Sequence, residues 1–372
     1  LFPMYLRVGS LGVGIALSVY PIAEFISATP VGRYVDLKGR LRTLILGLLS
    51  ISVLTMALSL TRDVYAVTII HGVMGFSGAA VTVSSLTMIT DLTVVSNRGI
   101  SMGGFDLANI VGYALGITLA TTVLHLTGSN YGFAFVATGT LLLTAGIACI
   151  LFVKETSHSS THQSFLMNPL VGLDQSTRAI LPLWFGLTCI LGVVFVLPRS
   201  LMESGLRFSQ VGLTLSLGAF ALGIGSVIFG RISDKIGRGK TLGIGVIGMI
   251  VLLVSTLDAV SRTPFRIYEQ LPIIALGGLL ATATVPSALA YVGDKANRNL
   301  RGSAMGIYSM MLSLGMALGN LLGGYSTHVG GLSTILETSA GILILSLLVT
   351  LALLYRAGAL SLSRKQSNPQ VR

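Results

Sequence analysis

Charge is what this chain has least of. Only 13 of its 372 residues are acidic and 24 are Lys or Arg, so 10% of the chain is charged against 52% hydrophobic, with a mean hydropathy of +0.85. Soluble domains carry about 25% charged residues, and this shortfall excludes one. Cysteine is nearly absent too. Cys149 and Cys189 both sit in apolar stretches, which excludes a disulfide framework, and no zinc-type spacing occurs. No Lys or Arg lies well inside an apolar run, and no run holds a nucleophile with its base. An enzyme is therefore not expected, nor a cofactor or a metal.

What is present is apolar length. Runs long enough to cross about 30 Å of hydrocarbon fall near 10–31, 43–61, 65–90, 100–126, 130–153, 179–199, 209–230, 241–260, 269–292, 302–327 and 332–356. The fold class expected is an all-α polytopic membrane protein. Alternating the loops from the first turn places 18 of the 24 basic residues on one side. That positive-inside bias makes this side, with the C-terminus, cytoplasmic. The net charge of +11 then reports topology, and no nucleic-acid partner is expected. A multi-pass protein of the plasma membrane is.

Gly32 to Arg42 read Gly-Arg-Tyr-Val-Asp-Leu-Lys-Gly-Arg-Leu-Arg, a charged turn wedged between two spans. It returns 198 residues later at Gly230 to Lys240 as Gly-Arg-Ile-Ser-Asp-Lys-Ile-Gly-Arg-Gly-Lys. Further along the offset becomes 203. Gly75, Asp91, Arg98, Gly99 and Gly103 recur as Gly278, Asp294, Arg301, Gly302 and Gly306, and Gly112 and Gly116 as Gly315 and Gly319. The halves are parallel duplicates.

The repeated Gly-x-x-x-Asp-x-x-Gly-Arg loop resembles the hallmark of the major facilitator superfamily (MFS), over nearly the whole chain. The resemblance implies two pseudo-symmetric six-helix bundles around a midplane site. On that plan 1–155 form an N-terminal bundle, 156–178 a cytoplasmic linker, 179–356 a C-terminal bundle and 357–372 a cytoplasmic tail. Leu1-Phe2-Pro3 parallels Val196-Leu197-Pro198, so the chain reads as eleven complete spans preceded by a stub of the first helix. The family also implies a gate. Asp36, with Gly32, Gly39 and Arg40, and Asp234, with Gly230, Gly237 and Arg238, are expected to face helix N-termini of the opposite half, near Gly302 and Gly99. Asp91 with Arg98, and Asp294 with Arg301, are expected to add salt bridges.

The duplication fails at three informative places. Glu24, Asp106 and His71 have Leu222, Ser309 and Ile274 as counterparts. Glu24 lies eight residues inward of Gly32 and Asp106 eight inward of Arg98, about 12 Å at 1.5 Å per residue. An acid at that depth is costly unless it is protonated, paired or facing water, so both are candidate proton or cation sites. Tyr20 shares a helix face with Glu24, and Asn109 and Tyr113 share one with Asp106; these three are candidate polar lining of a cavity. His71 stands where the family's fourth-helix motif usually has arginine, and is a candidate for proton movement. Gly103, Gly112 and Gly116 lie at packing spacing. They resemble the antiporters' fifth-helix glycines, but Ile117 stands where those carry proline.

Embedded acids without embedded bases suit protons and cationic or neutral substrates. The expectation is a monomeric secondary transporter working by alternating access. Proton-coupled efflux of lipophilic or cationic compounds is the first reading, proton-coupled uptake of a sugar or other neutral solute the second. A transporter-like sensor or scaffold without flux is the third.

Overall fold

The computed structural model describes residues 9–128, 130–156, 175–203, 208–262, 266–296 and 300–356. Among them are eleven α-helices and no strand: α1 (Ser10–Lys38), α2 (Arg40–Ala57), α3 (Val64–Leu92), α4 (Arg98–Leu126), α5 (Tyr131–Phe152), α6 (Gln175–Glu203), α7 (Phe208–Ile236), α8 (Arg238–Arg262), α9 (Arg266–Ala281), α10 (Thr284–Lys295) and α11 (Arg301–Arg356). The expected stub before Gly9, most of the expected linker and the expected tail lie outside the described residues.

By length and apolarity nine segments of the described chain qualify as membrane-crossing. The correspondence with the expected spans is not one to one. The last two expected spans, 302–327 and 332–356, are the two helical parts of α11, divided at Gly331, whose φ of 67° breaks the helical geometry. Expected span 269–292 is divided into α9 and α10 by a turn at Thr282 and Ala283.

Outward faces are apolar. On α1, Leu11, Ile15, Ile22 and Ile26 are all exposed along one side, at a cost of roughly 1.5–3 kcal/mol each if that side met water. Such a surface belongs in lipid, where helices satisfy their own backbone groups. The turns between α1 and α2 and between α7 and α8 each pass through one glycine, Gly39 at φ 105° and Gly237 at φ 100°. A side chain is strained in that conformation, so the loop motif needs glycine there.

Two seams join the halves. α1 packs on α11, and α4 on α7. On the first, a Cβ at Gly32 would lie 2.5 Å from the Gly302 carbonyl oxygen, and one at Gly14 would lie 2.7 Å from that of Asn320. Close backbone approach therefore runs along α1 for about 27 Å, nearly a membrane thickness. Pro21 adds a local device. Lacking an N–H, it leaves the Leu17 carbonyl without its helical donor, and Asn320 of α11 donates Nδ2 to that oxygen at 3.1 Å. On the second seam, Gly99 meets Gly230, Gly103 meets Ser226, and Gly223 meets Leu107 and Ile110.

The glycines of α4 and α11 part company beyond that. Gly315 and Gly319 press on Phe185 and Cys189 of α6, whereas a Cβ at Gly112 or Gly116 would meet nothing within 4 Å. Close packing at all three glycines of α4 is thus corrected to Gly103 alone among the described residues.

Candidate functional site

At the motif end of each seam, one aspartate caps a helix of the other half. Asp36 accepts hydrogen bonds from the backbone N–H of Gly302 and Ser303 and from the Ser303 hydroxyl, all at 2.8 Å. Asp234 accepts from the N–H of Gly99 and Ile100, both at 2.8 Å. These N–H groups open α11 and α4 and lack intrahelical acceptors. A carboxylate there satisfies them and meets the positive end of the helix dipole. Gly302 and Gly99 have to be small, since a Cβ at either would crowd the aspartate.

A second layer surrounds each cap. Asp91 binds Arg40 of its own half at 3.1 Å and Arg301 of the other at 3.0 Å. Asp294 binds Arg238 of its own half at 2.9 Å and Arg98 of the other at 2.5 Å. The expected pairs, Asp91 with Arg98 and Asp294 with Arg301, are therefore replaced by crossed ones. The reason is geometric. The starts of α4 and α11 lean across the seams to meet the opposite aspartates, which carries Arg98 and Arg301 to the opposite half. Arg40 and Arg238 also reach their loop aspartates, at 3.5 and 2.5 Å.

The first half has one further piece. The Glu155 carboxylate accepts from the N–H of Arg40 and Leu41, at 3.1 and 3.0 Å, and caps α2. The Thr156 hydroxyl donates to Asp91 at 3.2 Å. A Cβ at Gly39 would meet Glu155, while one at Gly237 would meet nothing within 4 Å. Sequence reasoning passed over Glu155, Thr156 and Ser303. For Glu155 a signal existed: it is an isolated acid just past a span, with no acidic counterpart after the last span.

Inward of the caps lie the two membrane acids, one on each seam. Glu24 on α1 is 6% exposed. Around its carboxyl stand Thr82 of α3 and Ser309 and Ser313 of α11. Both serines are fully buried. Asp106 on α4 accepts a hydrogen bond from the Ser226 hydroxyl of α7. Tyr113 lies within electrostatic reach of both acids, Tyr20 of Glu24 and Tyr308 of Asp106. Tyr308 stacks on Trp184 of α6 at 4.6 Å between ring centroids.

The remaining candidates scatter. His71 packs inside the first half, its ring 5.2 Å from that of Tyr20. Tyr20 itself is wedged against Gly78 of α3. Tyr113 is 54% exposed and edge-on to Phe195 of α6. Asn109 is exposed and turns its amide back to the Phe105 carbonyl of its own helix. No cluster of three or more His, Cys, Asp or Glu suited to a metal occurs among the described residues.

A bundle of membrane-length helices in two repeated halves, with charged turns at one end and acids in the seams, is the build of a polytopic transport protein. The sequence profile of the Major Facilitator Superfamily matches residues 1–203 and 183–370, and the chain belongs to that family of transporters. It is 23% identical to the inner membrane transport protein YajR of Escherichia coli (strain K12), over 84% of this chain and 68% of that one. It is 25% identical to multidrug resistance protein 2 of Bacillus subtilis (strain 168), over 87% of this chain and 82% of that one. In fold it is similar to the crystal structure of the human organic anion transporter MFSD10 (TM-score 0.70, 20% identity, 91% of this chain and 83% of that one).

Proposed function

We propose that this transporter exports lipophilic or cationic compounds in exchange for protons, with Glu24 and Asp106 as the proton-carrying groups. The observation that carries the reading is the placement of the two acids. Each lies about 12 Å inward of a helix cap, on a seam between the halves, with hydroxyls rather than cations around it. A carboxyl that exchanges protons at such a position changes the charge buried between the halves, and so changes how well they fit together. Similarity to a multidrug resistance protein supports efflux as the direction.

In this reading the Asp36 and Asp234 caps, with Gly32, Gly39, Gly230 and Gly237 shaping their turns, form the latch of the cytoplasmic end in the plasma membrane. Asp91, Arg40 and Arg301, and Asp294, Arg238 and Arg98, brace it. The latch is made in the described arrangement and breaks when that end opens. Tyr113 and Tyr20 stand near the acids, and the protein works as a monomer. His71 and Asn109 have less to support them.

Thermal stability in detergent tests this directly, with tetraphenylphosphonium, a neutral sugar and an aromatic carboxylate as probes, on wild type and Glu24→Gln. A ligand at 100 times its dissociation constant adds about 2.7 kcal/mol. Stabilisation by the cation in wild type and its loss in Glu24→Gln is the expected result. Stabilisation by the sugar in both proteins would instead favour uptake of a neutral solute, the second reading.

A further inference from the structure

The chain's single tryptophan, Trp184, stands one ring away from a membrane acid. It stacks on Tyr308 at 4.6 Å between ring centroids, and Tyr308 lies within electrostatic reach of Asp106. The next residue along α11, Ser309, faces Glu24. One stretch of α11 therefore serves both acids. Methionines complete the patch. Met102 and Met305 are fully buried in the same apolar cluster as Trp184 and Tyr308, with Phe105 packed against it. Met102 and Phe105 hold the repeat positions of Met305 and Tyr308, so each half contributes one methionine and one ring from matching places. Packing alone does not ask for this composition. Branched aliphatic side chains are the usual fill of a fixed core, whereas methionine adapts to partners of changing shape. A buried tryptophan also finds a partner for its N–H as a rule. Trp184 is 4% exposed, and its N–H has no acceptor in the protein.

We propose that Trp184, Tyr308, Phe105, Met102 and Met305 form the binding surface for a lipophilic cation, with Asp106 as its counter-ion. The inference rests on the reading of this chain as an exporter of such compounds, and it names where they sit. Aromatic faces attract a cation through the ring quadrupole, most strongly where water is excluded. Methionine sulfur is polarisable and suits apolar ligands of varied shape. The carboxylate supplies the full opposite charge. Met102, Phe105 and Asp106 belong to the first half, and Trp184, Met305 and Tyr308 to the second. The site is thus divided between the halves. Closed, its two parts cover each other; parted, they offer rings on one side and an acid on the other. A neutral molecule of the same bulk gains only the apolar share, which sets the preference for cations.

The test uses Trp184 as its own reporter, in the full chain in liposomes. Bromine quenches indole emission only at close range, so tetraphenylphosphonium is compared with (4-bromophenyl)triphenylphosphonium. Saturable quenching by the brominated cation, relieved by excess tetraphenylphosphonium, is the expected result. Affinities come from displacement of radiolabelled tetraphenylphosphonium. Triphenylphosphine oxide, a neutral analogue of similar bulk, is expected to compete about tenfold or more weakly than the cation. Tyr308→Leu is expected to weaken cation binding about three- to thirtyfold, and Tyr308→Phe, which keeps the ring, by less than about threefold. Should Tyr308→Leu fold poorly, the two cations on wild type still decide the matter. Equal emission with both cations, in a protein that tetraphenylphosphonium stabilises and that exports it, would place the cation away from Trp184 and overturn this proposal alone. Equal competition by the neutral analogue would also overturn it, by removing the counter-ion. A wild type that neither binds nor exports either cation would end the proposal together with the export reading.

Discussion

The α1–α11 and α4–α7 seams are copies of one another at their motif ends and strangers at mid-depth. Gly32 against Gly302 repeats as Gly230 against Gly99, and Asp36 on the start of α11 repeats as Asp234 on the start of α4. Six to eight residues further in, the match ends: Glu24 faces Thr82, Ser309 and Ser313, while Asp106 is bonded to Ser226. Duplication thus preserved the aspartate caps at the motif ends of both seams. It did not preserve the interior, where both acids come from the first half.

Breaking the caps one at a time is the strongest way to probe that contrast. Asp36 takes three hydrogen bonds and Asp234 two from the helix it caps. Asp36→Ala should cost about 3 kcal/mol of stability, read as a fall in melting temperature, and Asp234→Ala less. Equal or reversed losses would contradict the inequality of the two caps. Close backbone contact comes next. Gly32→Ala and Gly230→Ala should each cost roughly 1–3 kcal/mol through overpacking, whereas Gly104→Ala, with nothing within 4 Å of the new Cβ, should be neutral or slightly stabilising. A Gly104→Ala loss as large as the others would remove the steric account.

Smaller effects separate the seams further. Asn320→Leu deletes the donor to the Leu17 carbonyl left open by Pro21, at about 1 kcal/mol. The change should be silent when Pro21 is also replaced by alanine, because the helix then supplies its own donor. Glu155→Ala uncaps α2 and should cost less than about 1 kcal/mol, since the carboxylate is exposed. Hydrogen exchange at Arg40 and Leu41 should quicken in that variant while exchange at Gly239 and Lys240 stays as it is. Faster exchange at both helix starts would mean that Glu155 acts on the whole gate rather than on one half.

Much of this was legible before the structure. Apolar length gave the spans because a bilayer demands about 20 residues per crossing, and the repeated loop gave the two halves. Glu24 and Asp106 stood out because acids inside apolar runs are rare and costly. What could not be read was anything set by packing between helices remote in sequence. Asp91 and Arg98 are seven residues apart and invited pairing, yet each finds its partners elsewhere because the start of α4 lies against the other half. Asn109 and Tyr113 share a helix face with Asp106, but periodicity says only which residues share a face, not what that face meets. Ser226, Ser309 and Ser313 carried no signal, as serines are ordinary in membrane helices. The break at Gly331 was legible, since it falls in the gap between the expected spans 302–327 and 332–356.

Flux across a membrane tests the central claim most directly. The chain would be reconstituted in liposomes with an imposed pH gradient and radiolabelled tetraphenylphosphonium on one side, for wild type, Glu24→Gln and Asp106→Asn. The account predicts accumulation driven by the proton gradient in wild type, abolished when the gradient is collapsed, and reduced at least tenfold in both variants. Transport that ignores the gradient and survives both substitutions, or no flux of any solute bound in the stability screen, would contradict it. The first outcome would leave a uniporter with structural acids, and the second a binding protein built on a transporter's frame.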